Sequence, residues 1–205
     1  WEATYFDFNG EKIIEMAKQA SILGVEMLVL DDGWFGQRDH DRSGLGDWFV
    51  NEKKLGCTLF DLVEKINNTG MKFDLWFEPE MISEDSDLYR EHPDWAFIIP
   101  GRNPIRSRYQ LVLDFSRKEI VDYIYERICL VLDSANIEYI KWDFNRSIAD
   151  VYSTNAQKNQ GAVLYDYMIG LYDLLERLIN RYPELLIETC SGGGGRFDAG
   201  MLHYS

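Results

Sequence analysis

A chain of 205 residues, 46% apolar and 14% aromatic, is long enough to bury one sizeable core and too apolar for a disordered segment. Its 35 acidic against 21 basic residues leave a formal charge of −14, a field that repels phosphate backbones and anionic headgroups, so neither nucleic acid nor a membrane is expected as a partner. Cys57, Cys129 and Cys190 are odd in number and form no CxxC pair, which fits a reducing compartment and makes the cytoplasm the expected location.

The aromatic-rich opening predicts a strand over Ala3–Phe8, followed by a helix over Glu11–Leu23 on the spacing of Ile13, Ile14, Ala17 and Ala20. A strand at Met27–Leu30 runs into a long connection, Gly33–Thr58, and then a helix at Leu59–Asn68 and a strand at Lys72–Phe77. The next connection, Glu78–Ser116, holds a short apolar strand at Leu111–Phe115. Ser116 is a plausible cap for a helix over Lys118–Ser134, whose apolar face is Ile120, Ile124, Ile128 and Leu132. A strand at Tyr139–Trp142, a helix at Ala162–Arg181 and a strand at Leu185–Thr189 follow.

Strands alternating with helices predict an α/β fold with a parallel sheet, and the expected architecture is a partial TIM (β/α)8 barrel with about five of eight barrel strands. No linker or repeat interrupts residues 1–205, so they read as one catalytic barrel domain, incomplete at its C-terminus.

Each predicted strand ends in acidic, aromatic or glycine residues: Asp31–Trp34, Trp76–Met81, Lys141–Arg146 and Glu188–Arg196. In a parallel barrel these ends converge on one face. Carboxylates beside indoles suit a pyranose, whose hydroxyls want bidentate acceptors and whose C–H face wants an apolar ring. Asp143 is the leading candidate nucleophile, because it lies where the strand delivers a side chain into the pocket. Lys141 shares its strand face and would hold it ionised. The plainer reading of Lys141 and Asp143 is a structural ion pair at the rim.

The alternative for Asp31 and Asp32 is a strand-end turn in which one carboxylate caps backbone N–H groups, and both can serve one ligand only if the backbone leaves the strand at Gly33. The glycines at 192–195 lack the Lys-Ser/Thr of a phosphate loop and read as a tight turn or a close approach to ligand. Cys190 has no placeable histidine partner, and His40, His92 and His203 share no metal-ligand spacing, so no metal or cofactor is expected.

Taken in order, Trp1–Phe6, Asp31–Gly36, Gly46–Trp48, Trp76–Met81, Leu111–Asp114, Lys141–Asp143 with Asn145 and Arg146, and Glu188–Ser191 with its glycines resemble the α-galactosidases of glycoside hydrolase family 36. The resemblance covers essentially the whole chain. It implies a retaining hydrolase of terminal α-D-galactosides of the melibiose and raffinose type, with Asp143 forming a covalent galactosyl intermediate.

It also implies that Asp31 and Asp32 bind the 4- and 6-hydroxyls, that Lys141 and Arg108 donate to further hydroxyls and that Trp76 lines the sugar subsite. Cys190 and Gly193 would lie beside the 2-hydroxyl. By the same resemblance the acid/base residue is expected beyond Ser205, flanking β-sandwich domains are absent, and the full-length enzyme is expected to be a homo-oligomer. Residues 1–205 alone are then expected neither to hydrolyse melibiose nor to fold stably.

Three other readings stay open. One is a galactosyl transferase of the raffinose-synthase type, and another a non-catalytic galactose-binding fragment. The third is a metal-dependent hydrolase using Asp31, Asp32 and Glu78.

Overall fold

The elements in chain order are α1 (Gly10–Ile22), β1 (Met27–Leu30), α2 (Glu52–Leu55), α3 (Leu59–Asn67), β2 (Lys72–Phe77), β3 (Met81–Ile82), α4 (Asp87–Glu91), β4 (Leu111–Val112), α5 (Lys118–Leu132), β5 (Tyr139–Trp142), α6 (Val163–Arg181), β6 (Leu186–Thr189), a tight turn α7 (Ser191–Gly194) and α8 (Ala199–Tyr204). The structure is a computed structural model and describes all residues, 1–205. The helices begin where the local chemistry satisfies their free N–H groups: Asn9 accepts from Lys12 N at 2.9 Å ahead of α1, and Thr58 accepts from Asp61 N at 3.1 Å ahead of α3.

β1, β2, β5 and β6 form one parallel sheet in that order, with Leu30 opposite Leu75, Leu75 opposite Ile140 and Ile140 opposite Ile187. This register puts Leu28, Leu30, Phe73, Leu75, Phe77, Ile140, Trp142 and Ile187 on one face. They join the core supplied by Ile13 and Ala17 of α1, Leu62 and Ile66 of α3, Ile124 and Ile128 of α5 and Leu171 and Leu175 of α6. The other face carries Val29, Asp74, Trp76, Tyr139, Lys141 and Glu188. All four strands run the same way, so their C-terminal ends gather on one rim, and that rim holds every strand-end acid. No helix is long and apolar enough to cross a membrane.

Three expectations are corrected. Ala3–Phe8 is not a strand: Thr4 N and Tyr5 N both donate to Trp1 O, Asp7 N donates to Thr4 O, and Tyr5 sits at φ +48°. Its rings find partners locally instead, with Trp1 edge-on to Tyr5 and Phe6 and the Lys54 ammonium over Phe8 at 4.5 Å. A sequence with high strand preference extends only against a neighbouring ladder, and here the aromatic contacts win. The parallel sheet therefore has four strands rather than five.

The strand expected at Leu111–Phe115 is shorter: only Leu111–Val112 (β4) forms a ladder, antiparallel to β3, and Leu113 adds a single antiparallel bridge to Ala96, outside the parallel sheet. Ser116 does not cap α5: Arg117 occupies the cap position with no side-chain cap, and Ser116, one residue further out, donates its hydroxyl to Asp114 Oδ1 at 2.5 Å. Both the backbone N and the hydroxyl of Ser116 donate to Asp114 Oδ1, a local turn that leaves Ser116 outside the first helical turn.

Candidate active site

Asp143 lies one residue past β5, with its backbone N donating to Phe77 O at 2.8 Å and only 6% of it exposed. Four N–H groups converge on its carboxylate. Phe144 N and Gly192 N donate to Oδ1 at 2.9 and 3.1 Å, and Trp76 Nε1 and Asn145 Nδ2 donate to Oδ2 at 3.1 and 2.5 Å. Burial acts on this carboxyl first and upward, but the donors from Gly192, Asn145, Trp76 and Phe144 outweigh it and hold Asp143 below its ordinary range. The group is an ionised, buried carboxylate with no cation in direct contact.

Lys141 does not supply that charge. Its Nζ donates to Asp31 Oδ2 at 2.9 Å, and although burial pulls the ammonium down, Asp31 leaves its pKa raised. The expected Lys141–Asp143 pair is therefore replaced by a Lys141–Asp31 pair. β2 lies between β1 and β5, and the long lysine stem reaches across it while the short Asp143 side chain, two residues on, turns to the N–H donors.

Asp31 and Asp32 are separated by their partners. Asp31 faces the rim with Lys141, and its Oδ1 accepts from Asp32 N at 2.8 Å. Asp32 is buried and gripped by Arg38, Nε to Oδ1 and Nη2 to Oδ2, both at 2.7 Å. Desolvation pushes Asp32 above its ordinary value even so. Gly33, at φ +102°, takes the backbone out of the strand as expected.

Trp76 is buried, with its ring plane nearly parallel to Phe35 at 6.2 Å. Its indole N–H serves Asp143, and Trp34 Nε1 fixes its carbonyl at 2.9 Å. Cys190 adjoins the site, its thiol raised first by burial and then by the nearby Asp143 carboxylate. Gly193 lies at φ +94°, and a Cβ there would meet no atom within 4 Å. Arg108 is exposed at φ +55° on the turn between Ser107 and Gln110, outside the hydrogen-bonded cluster. Asn145, Gly192, Arg196, Phe144 and Arg146 line a cleft of about 400 Å³, a volume in the range of small-molecule sites.

Glu78 accepts from Asn145 N at 2.6 Å and Gln110 Nε2 at 2.8 Å, and burial raises it to about 7. Asp31, Asp32 and Glu78 thus have three different sets of partners, Lys141, Arg38, and Gln110 with Asn145. The residues of the metal-hydrolase reading are not gathered around one point.

Arg38, Gln110 and Glu80 are neighbours of the site that sequence reasoning missed, and Glu78 entered it only through the metal-hydrolase reading. For the two glutamates a signal existed in the Trp76–Met81 run, but nothing local distinguishes Arg38 or Gln110 from any other loop residue.

The melibiase family model matches residues 1–205. Over its whole length the chain is 60% identical to the bifunctional α-galactosidase/sucrose kinase AgaSK of Mediterraneibacter gnavus, of which it covers 21%. It is 52% identical to the α-galactosidase Mel36A of Lactobacillus acidophilus, of which it covers 28%. Among solved structures, the GH36 α-galactosidase AgaB from Geobacillus stearothermophilus superimposes with a TM-score of 0.97 at 52% identity, over 100% of this chain and 28% of that one. AgaA from the same organism, in complex with raffinose, superimposes at 0.96 with 52% identity, over 100% and 29%. The chain spans between about a fifth and somewhat over a quarter of the length of these relatives.

Proposed function

This chain belongs to the melibiase family, glycoside hydrolase family 36, and on that premise we propose that it carries the nucleophile and part of the sugar-binding wall of a retaining α-galactosidase. The supporting observation is Asp143, a buried carboxylate kept ionised by four neutral N–H donors at the end of a parallel strand.

In the proposed reaction a carboxylate oxygen of Asp143 attacks the anomeric carbon and the bond to the leaving oxygen breaks. A second acid protonates that oxygen as it departs. Water then adds to the anomeric carbon, loses its proton to the same group, and frees Asp143 as a carboxylate. Asp31 and Lys141 present an acceptor and a donor to sugar hydroxyls from the β1 and β5 ends, and Asp32 offers the lone pairs that Arg38 leaves. Trp76, Cys190, Gly193 and Arg108 complete the proposed sugar-binding set. The AgaA structures hold raffinose and stachyose, and α-galactoside oligosaccharides of that kind are the substrate class proposed here.

Completion of the parallel strands into a (β/α)8 barrel, a homo-oligomeric full-length enzyme and a cytoplasmic location belong to the same proposal. The test is mechanism-based labelling of the full-length protein with an activated fluorogalactoside. The adduct is expected on the peptide holding Lys141–Arg146, and an adduct on any other peptide overturns the assignment. Product analysis at high acceptor concentration separates hydrolysis from galactosyl transfer.

A further inference from the structure

Behind the groups that touch Asp143, a buried polar cluster centres on Glu80, which is fully buried. Its Oε1 accepts from Trp142 Nε1 at 2.9 Å and from Arg196 Nη2 at 2.8 Å, and its Oε2 accepts from Arg196 Nη1 at 2.8 Å and from the Tyr167 hydroxyl. The Arg196 guanidinium also lies over the Phe144 ring at 4.5 Å. One carboxylate therefore ties together the segment after β2, the last residue of β5, α6 and the chain that follows β6.

What Arg196 anchors is an unusual stretch of backbone. Ser191, Gly192, Gly193 and Gly194 all lie at positive φ, +46°, +63°, +94° and +99°, a region that residues with side chains avoid and that Ser191 occupies under strain. This run brings Gly192 N to Asp143 Oδ1 at 3.1 Å. Its N-terminal end is held by the strand, where Cys190 N donates to Trp142 O at 2.8 Å. Its C-terminal end is held by Arg196.

Stability alone is a poor account of this pair. Burying two charges costs desolvation that a well-packed apolar pair avoids, and Arg196 Nε is left buried without a partner.

We propose that Glu80 and Arg196 are positioning residues, whose buried fork clamps the left-handed Ser191–Gly194 turn so that the Gly192 N–H stays on the nucleophile. The inference rests on the reading of Asp143 as nucleophile. Without the clamp the turn relaxes, Asp143 loses one of its four donors, and its carboxylate becomes both more basic and less well aimed.

The test uses three variants of the full-length enzyme: Glu80→Gln, Arg196→Lys, and the charge-free pair Glu80→Gln with Arg196→Met. Each variant is expected to lose roughly 10- to 100-fold in kcat, the size of effect a small misplacement produces, with KM for an aryl α-galactoside within about threefold of the parent. The acidic limb of kcat/KM should move to higher pH as the Gly192 donor is lost. Arg196→Lys, which keeps the charge, should lose least.

The double variant separates clamp from core, because it removes both buried charges and should melt close to the parent while kcat stays low. An acidic limb that does not move in folded variants, or a double variant that recovers kcat along with its melting temperature, overturns the proposal. The parent enzyme is labelled in parallel. An adduct away from Asp143 would sink the functional reading and this inference together, whereas a correct adduct with unchanged variants sinks the inference alone.

Discussion

The ends of β1 and β5 both carry carboxylates, and the fold treats them in opposite ways. At β1, Asp31 and Asp32 each meet a cation, Lys141 and Arg38. At β5, Asp143 meets only neutral N–H groups. A guanidinium chelating both oxygens neutralises a buried charge, but it also takes the directions from which a carbon could be approached. Dispersed N–H donors keep a carboxylate ionised without placing a full positive charge on it. The contrast teaches that ionisation and neutralisation are separate tasks in this site, and that only the acid proposed to bond to carbon is ionised by dipoles alone.

The sharpest way to break this comparison is to make the two ends equivalent. Asp143→Asn in the full-length enzyme removes the proposed nucleophile and should lower turnover of an aryl α-galactoside at least roughly 1,000-fold, with galactose binding still measurable by calorimetry. A loss under tenfold would place Asp143 among the binding groups with Asp31.

Removing a cation tests the other half. Arg38→Met leaves Asp32 buried and unpaired, and should cost about 3–5 kcal/mol in unfolding free energy by denaturant titration. Lys141→Met acts on a pair nearer solvent and should cost well under that. Equal costs would mean that burial does not distinguish the two pairs.

A smaller change sharpens the β5 side. Trp76→Phe keeps an aromatic face but deletes the N–H donor, and a hydrogen bond to a charged group contributes about 1.5–3 kcal/mol. Turnover should fall by roughly tenfold or somewhat more, and the acidic limb of kcat/KM should move to higher pH, since the lost donor had lowered Asp143. A limb that stays in place would show that the remaining donors suffice.

The smallest expected effect concerns acids that have neither cation nor enough donors. Burial raises Glu78 and Asp74 to about 7, from ordinary values of 4.5 and 3.8. The folded state then holds protons that the unfolded chain has already released. Their contribution to stability is full below those ordinary values and is lost as pH rises toward 7. Asp143, with its lowered pKa, works in the opposite direction and only at lower pH. Glu78→Gln should therefore flatten the decline of melting temperature between about pH 4.5 and 7 relative to the parent, and parallel profiles would refute the assignment.

Much of the frame is legible in the sequence. Met27–Leu30, Lys72–Phe77 and Tyr139–Trp142 form strands with the expected bounds, because short apolar runs between amphipathic stretches have few other places to go. The helices shift by one or two residues at their ends, where capping rather than periodicity decides. The opening segment failed because its aromatic residues satisfy a strand propensity and a local ring cluster equally well, and only the presence or absence of a pairing edge chooses between them. Strand-end position marked Asp31, Asp32, Trp76, Lys141 and Asp143 as one rim, since parallel strands must deliver their C-terminal residues to the same side.

The sequence by itself determined which residue types reach that rim and on which strand face each one lies, because the period of two and the parallel direction follow from local pattern. Only the tertiary structure decided who pairs with whom. Lys141 is two residues from Asp143 yet bonds Asp31, 110 positions away, and Glu80 bonds Arg196, 116 positions away. Gly192 N, 49 positions on, is what helps to keep Asp143 ionised. A carboxylate's ionisation depends on every charge and dipole within a few ångströms, and those distances come from how strands and loops pack in three dimensions rather than from their order along the chain.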